Sequence, residues 1–181
     1  TAMTWSRSGG LAVGDTKGCV LENGVVRTPT GFKAAFDQLR DGGWMSLDAP
    51  PDYGGQGLPL MTAMAALEIW CSCSLAFGLC PTLTMGAVEA IAAHATDELK
   101  ERYLPKMISG EWTGTMNLTE PQSGSDLGGM RTRAERNDDG SYRIFGQKIF
   151  ITFGEHDLTK NIIHLVLARL PDAPAGTRGI S

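Results

Sequence analysis

Apolar side chains at Phe32, Ala35, Phe36 and Leu39 recur at i, i+3, i+4 and i+7, the spacing of one helix face, and predict a helix over residues 31–39. Gly42 and Gly43 follow as its end signal. Residues 61–77 and 82–94 are apolar on nearly every side, which predicts two interior helices meeting near Pro81. Over residues 97–108 the pattern returns to one apolar stripe, with Leu99, Tyr103 and Met107 as the expected buried positions. Thr96 stands where a cap is needed, and Asp97 and Glu98 complement the positive end of the helix dipole. Pro105 is expected to kink or tighten the last turn before Gly110.

After Gly110 the period shortens. Residues 112–118 read as a strand, rich in Thr, Trp and Met. Residues 132–136 and 142–145 read as two strands joined by Asn137-Asp138-Asp139-Gly140-Ser141, whose residues tolerate positive φ. Gly146 marks a bulge, residues 147–153 continue as a strand, and 162–168 form the most apolar strand. Residues 1–30, with Gly9, Gly10, Gly14, Gly18 and Gly24, read as loop, and residues 48–59 as a Pro/Gly-rich connection. The expectation is an α+β chain with a helical domain at 1–110 and a β domain at 111–181.

Composition narrows the function classes. The 181 residues are 42% hydrophobic and 20% charged with a net charge of −4, which suits a globular protein and excludes a disordered one. Acidic side chains outnumber basic ones in both parts, so nothing points to nucleic acid or to an anionic membrane surface. Cys19, Cys71, Cys73 and Cys80 make no Cys-x-x-Cys pair and no disulfide framework, as expected of a reducing compartment. The uncharged stretch between Glu68 and Glu89 has the length of a membrane span, but Gly78, Pro81 and Gly86 interrupt it, so two buried helices are expected instead. Thr1 in place of Met and a strand close to Ser181 lead us to expect truncation at both ends.

Two stretches can carry chemistry. Residues 116–126, Met-Asn-Leu-Thr-Glu-Pro-Gln-Ser-Gly-Ser-Asp, take a strand into a loop of hydroxyls and backbone N–H groups able to hold a polar ring edge or phosphates with neutral donors. No Gly-Lys-Ser/Thr, Gly-x-Gly-x-x-Gly or Gly-x-Ser-x-Gly pattern accompanies it. Taken alone, an ordinary surface loop accounts for it as well. In residues 148–154 strand alternation puts Phe150 and Thr152 on one face, an aromatic surface beside a hydroxyl; a core Phe and a strand-forming Thr explain the pair equally. Glu155-His156-Asp157 is no catalytic relay, because adjacent side chains diverge. His94 and His164 stand alone, so no metal site is assigned, and Glu68 and Glu89 are single acids in apolar helices.

The two stretches occur together and in order. Leu118-Thr119-Glu120-Pro121-x-Ser123-Gly124-Ser125-Asp126 followed by Gly146-x-Lys148-x-Phe150-Ile151-Thr152 resembles the acyl-CoA dehydrogenase family. Trp44, Pro51-x-Tyr53-Gly54-Gly55-Gln56-Gly57-Leu58 and Tyr103-Leu104-Pro105 add to the resemblance, and Glu155 to Thr159 looks most like its larger bacterial members, including those acting on sulfur-containing or long acyl thioesters. The resemblance implies an N-terminal all-α domain, a β-barrel-like middle domain, and a C-terminal helical bundle absent from this sequence. It implies FAD as cofactor, bordered by Met116, Leu118, Thr119, Gly124, Ser125, Phe150, Ile151 and Thr152. Thr119 would sit near the pyrimidine edge, and Ser125 near the phosphates or the CoA arm of the substrate. Phe150 would lie on the ring system and Thr152 at N5; many relatives carry Trp where this chain has Phe150. The implied activity is α,β-dehydrogenation of an acyl-CoA. Its base lies in the bundle, so no catalytic residue is nominated here, Glu120 included, and the segment alone is expected to be inactive. A homo-oligomer, electron-transfer flavoprotein as acceptor, and the bacterial cytoplasm or mitochondrial matrix complete the expectation. A non-enzymatic binding protein of the same fold and an acyl-CoA oxidase are the alternatives.

Overall fold

The computed structural model describes residues 10–181, and the part of the expected 1–30 loop at residues 1–9 lies outside them. Two compact units emerge. One holds the described residues up to Thr115 together with Glu155–Ile163; the other holds Met116–Gly154 and His164–Ser181.

The first unit is helical. It begins with α1 (Gly10–Lys17) and a short hairpin of β1 (Val20–Glu22) and β2 (Val25–Arg27), where the sequence reading expected loop throughout. Helix α2 (Phe32–Asp41) buries Phe32, Ala35, Phe36 and Leu39, the four residues of its apolar face. Phe32 meets Phe77 edge-to-face at 5.4 Å. The Pro/Gly connection that follows is ordered by Gln56, whose side chain donates to the Gly43 carbonyl and the Ser46 hydroxyl while its amide donates to Ser46 O.

Helices α3 (Leu60–Cys73) and α4 (Leu75–His94) break at Ser74, not near Pro81. Ser74 is extended and its hydroxyl accepts from Phe77 N, an N-cap that restarts the helix one residue after the last ends. Pro81 lies inside α4, which is long and apolar enough to cross a membrane by length and composition. The helices are not interior all round: Leu60, Met61, Met64, Ile69 and Leu75 are exposed. Helix α5 (Asp97–Ile108) starts at the expected Thr96 cap but buries Leu104, Met107 and Ile108, leaving Leu99 exposed. The Thr84 hydroxyl donates to Cys80 O and accepts from Gly114 N, tying α4 to the strand that leaves the unit.

The strands are β3 (Thr113–Asn117), β4 (Arg133–Arg136), β5 (Tyr142–Phe145) and β6 (Ile162–Val166). The described strands make three two-stranded sheets, β1–β2, β3–β6 and β4–β5, so the expected barrel is not formed. One reason lies at residues 147–153, where a strand was expected. Phe150 and Phe153 have φ of 56° and 51°, the left-handed region, which a continuous ladder cannot accommodate. The β4–β5 hairpin has the expected turn, with Arg133 opposite Phe145 and Arg136 opposite Tyr142.

Candidate functional site

The centre of the second unit is a buried ion pair beneath the loop that follows β3. Glu120 is 3% exposed, and its Oε1 accepts from Lys148 Nζ at 3.0 Å and from Thr132 N at 2.9 Å. Its Oε2 accepts from Arg131 N at 2.7 Å and from the Gln122 side chain. Burial by itself would raise the carboxyl pKa. The nearby Thr132 hydroxyl, the Arg131 and Thr132 amides and Lys148 outweigh that and hold it at about 2. Lys148 also donates to Leu118 O at 3.0 Å, and Ile149 N donates to Thr119 O at 2.9 Å. These bonds fasten residues 118–120 alongside 148–149.

Further along, the loop turns on itself. Glu120 and Ser123 exchange backbone hydrogen bonds, the Ser123 hydroxyl donates to Asp126 O, and Asp126 caps a 3₁₀ turn at Leu127–Gly129 through Gly128 N. Arg169 supports the far side, its guanidinium donating to the carbonyls of Leu127, Gly128, Met130 and Gly176.

Leu118, Thr119 and Gly124 are thus brought together, with the Thr119 methyl 3.4 Å from the position a Gly124 Cβ would take. Met116, Ser125 and Thr152 are exposed, and Ile151 is half-buried. Phe150 is 87% exposed. Its left-handed backbone removes the alternation on which the shared face of Phe150 and Thr152 rested. Phe150 and Thr152 are therefore both exposed residues, but not neighbours on one strand face.

Three features escaped the sequence reading. The Glu120–Lys148 pair joins residues 28 apart in the chain, and no local pattern in the sequence signals it. None signals Arg169. His156, taken as part of a polar loop, is buried: its Nδ1 accepts from Leu158 N at 3.1 Å and its Nε2 faces the Thr113 hydroxyl at 3.1 Å. Asp157 beside it accepts from Thr28 N and Thr28 Oγ1 at 3.0 and 2.7 Å. These bonds anchor the segment within the helical unit.

The helical unit has its own cavity of about 460 Å³, bounded by Met45, Leu58, Leu60, Met85 and Val88 with Asp48 and Glu89 at its polar positions. Among the described residues no cluster of three or more metal-ligating side chains occurs.

Comparison with known proteins divides the chain near the same point, but its second span includes residues 155–163, which pack with the helical unit. Residues 23–111 match the family description "Acyl-CoA dehydrogenase, N-terminal domain" and residues 115–181 match "Acyl-CoA dehydrogenase, middle domain". The chain is 57% identical over 169 residues to 3-methylmercaptopropionyl-CoA dehydrogenase of Ruegeria pomeroyi, covering 93% of this chain and 29% of that relative. Among solved structures, butyryl-CoA dehydrogenase from Megasphaera elsdenii superposes with a TM-score of 0.76 at 26% identity, covering 99% of this chain and 44% of that one. An acyl-CoA dehydrogenase complexed with FAD from Bacillus anthracis gives 0.67 at 28% identity, covering 77% and 23%. The chain therefore spans less than half the length of each of these proteins.

Proposed function

The chain belongs to the acyl-CoA dehydrogenase family, and from that premise we propose that it is the flavin- and substrate-holding part of an FAD-dependent enzyme that dehydrogenates an acyl-CoA thioester between Cα and Cβ. Residues 1–110 serve as its helical domain and 111–181 as its middle domain. The observation that carries the reading is the loop clamped by Glu120 and Lys148 beside an exposed aromatic ring at Phe150.

The residues present suit a flavin. An isoalloxazine needs a flat apolar contact and neutral donors along its polar edge, and Phe150, Thr119, Ser125 and Thr152 offer these. The acid inside the motif does not oppose an electron-rich ligand, because Glu120 faces inward and is neutralised by Lys148. The relative complexed with FAD supports the same cofactor. When bound, FAD would supply the acceptor for the hydride from Cβ.

Within this scheme Met116, Leu118 and Ile151 border the ring system, Phe150 packs on it, and Thr152 is assigned to the N5 edge. Thr119 serves the pyrimidine edge. Gly124 lets the backbone approach closely, and Ser125 faces the phosphates or the CoA arm. Glu120 is committed to four donors and is no base for the α-proton; that role falls to a carboxylate outside residues 1–181. A short acyl group is the proposed substrate, consistent with the names of the Ruegeria and Megasphaera relatives. A homo-oligomer and electron-transfer flavoprotein as acceptor belong to the same proposal.

Mixing the chain with FAD and with 3-methylmercaptopropionyl-CoA or butyryl-CoA tests it. Saturable flavin binding without acyl-CoA-dependent dye reduction is expected. Dye reduction by this chain alone would place the base within it, and a folded chain that leaves FAD unbound would overturn the platform.

A further inference from the structure

The chain leaves the second unit at Gly154, packs with the helical unit over residues 155–163 and returns to the second unit at His164. Several of the bonds that hold this strap converge on one residue of β3. Thr113 is 1% exposed, and its N–H donates to Asn161 O at 3.2 Å. Its hydroxyl lies 3.1 Å from His156 Nε2 and 3.2 Å from Thr159 Oγ1. The Thr159 hydroxyl donates to Asn161 O at 2.9 Å, so its one proton is used and it accepts from Thr113. Thr113 has then given its own proton and accepts from the His156 ring. On the other side of the ring, Nδ1 accepts from Leu158 N at 3.1 Å. The donors thus run one way, from His156 Nε2 through Thr113 and Thr159 to Asn161 O. Only a neutral ring with its proton on Nε2 completes the series.

We infer that His156 is an acid-sensitive latch: neutral, it clasps residues 155–161 to the helical unit, and protonated, it releases them. A second proton on Nδ1 would face the Leu158 N–H, donor against donor, at a ring 4% exposed. The acid beside the ring, Asp157, turns its carboxylate to Thr28 N, Thr28 Oγ1 and Arg27. The adjoining cleft, which Leu158 and Thr159 line, carries Lys33, Arg40 and Asp41 of α2, Glu111 and Lys160. Among these, Lys33 and Arg40 pair with Asp37, Arg40 pairs with Asp41 as well, and Glu111 lies 3.9 Å from Lys106. A released ring takes up its proton near the ordinary histidine value of about 6.5. The clasped ring stays neutral below that pH, so the ratio of released to clasped strap rises about tenfold for each further unit of acid. The flavin reading plays no part in this inference.

Hydrogen exchange in the 181-residue chain, followed amide by amide from about pH 7.5 to 5 and corrected for its intrinsic pH dependence, tests the latch. That window lies above the ordinary range of carboxylate titration. The reporters are the amides of Leu158, Thr113 and Thr28, bonded to His156, Asn161 and Asp157. Their protection is expected to fall about tenfold per unit below about pH 6, while the interior amides of α2 hold constant. His156→Asn keeps an acceptor for Leu158 N, as in an Asx turn, and has no ring to titrate. Its strap amides are expected to be less protected at neutral pH and indifferent to acid. Where that variant fails to fold, the wild-type ring's own ¹⁵N resonances decide, and the clasped chain is expected to show the neutral Nε2–H form throughout the window. A ring that gains its proton while Leu158 stays protected overturns the latch. So does wild-type protection that stays level down to pH 5, or that falls equally in His156→Asn.

Discussion

Lys148 Nζ lies 3.0 Å from Glu120 Oε1, with the two side chains 8% and 2% exposed, and it joins the loop after β3 to the segment after β5. A pair this buried is costly to break from one side only, by about 3–5 kcal/mol, because the remaining charge has no partner. Its acid dependence has a definite sign. The Glu120 carboxyl is lowered from 4.5 to about 2, so its contribution is fully present above pH 4.5 and is lost as pH falls towards 2. By linkage that contribution is on the order of 3 kcal/mol. Urea unfolding of the second unit between pH 5 and 2.5 is expected to steepen with acid in the wild type. In Glu120→Gln the dependence over that window flattens. Equal acid sensitivity in both proteins would contradict the assignment.

Phe150 combines a φ of 56° with 87% exposure, so the free chain carries both backbone strain and an uncovered aromatic ring. Glycine adopts that conformation without the side-chain clash, which costs other residues about 1–2 kcal/mol. Phe150→Gly is therefore expected to leave the thermal midpoint of the second unit equal or higher while weakening FAD binding at least tenfold. A lower midpoint would mean that Phe150 packs in the folded unit. Unchanged FAD affinity would remove it from the ligand surface.

His156 accepts from Leu158 N at Nδ1, so its proton sits on Nε2 and donates to Thr113. The ring is 4% exposed, and its removal leaves a cavity as well as unmet hydrogen bonds. His156→Ala should cost the helical unit about 2–4 kcal/mol in chemical denaturation. A loss below about 1 kcal/mol would mean that the 155–159 segment is not anchored by this ring.

At Gly114 a Cβ would lie 2.6 Å from Ala87 Cβ and 2.7 Å from Met107 Cε, inside the contact of β3 with α4 and α5. Gly114→Ala is expected to lower stability by about 1–3 kcal/mol through overpacking, and Met107→Ala in the same chain should relieve part of it. Additive effects of the two substitutions would show that they do not share this space.

What the sequence made legible follows from the range of the forces involved. The face of α2 could be read directly because burial repeats with the helix period at Phe32, Ala35, Phe36 and Leu39. In α5 the same rule found Met107 but missed its buried neighbours: Leu99 is exposed and Tyr103 half-buried, and only the packing partner decides that Leu104 and Ile108 go inside. The helix break at Ser74 was available as an N-cap signal but lay hidden beside the more conspicuous Pro81. Residues 147–153 have strand composition, yet Phe150 and Phe153 adopt positive φ, a conformation that aromatic residue types do not signal. The passage from strand to loop after residue 118 was legible from its Pro, Gly and Ser residues, which left an ordinary surface loop open, whereas its clamp required Lys148 to arrive from 28 positions away.

The most direct measurement is an FAD titration of the ¹⁵N-labelled chain, read residue by residue. The account predicts saturable shifts concentrated in residues 116–126 and 148–152, with the helical cavity beside Met85 and Val88 undisturbed. Shifts centred on that cavity, or none at millimolar FAD in a folded chain, would contradict it.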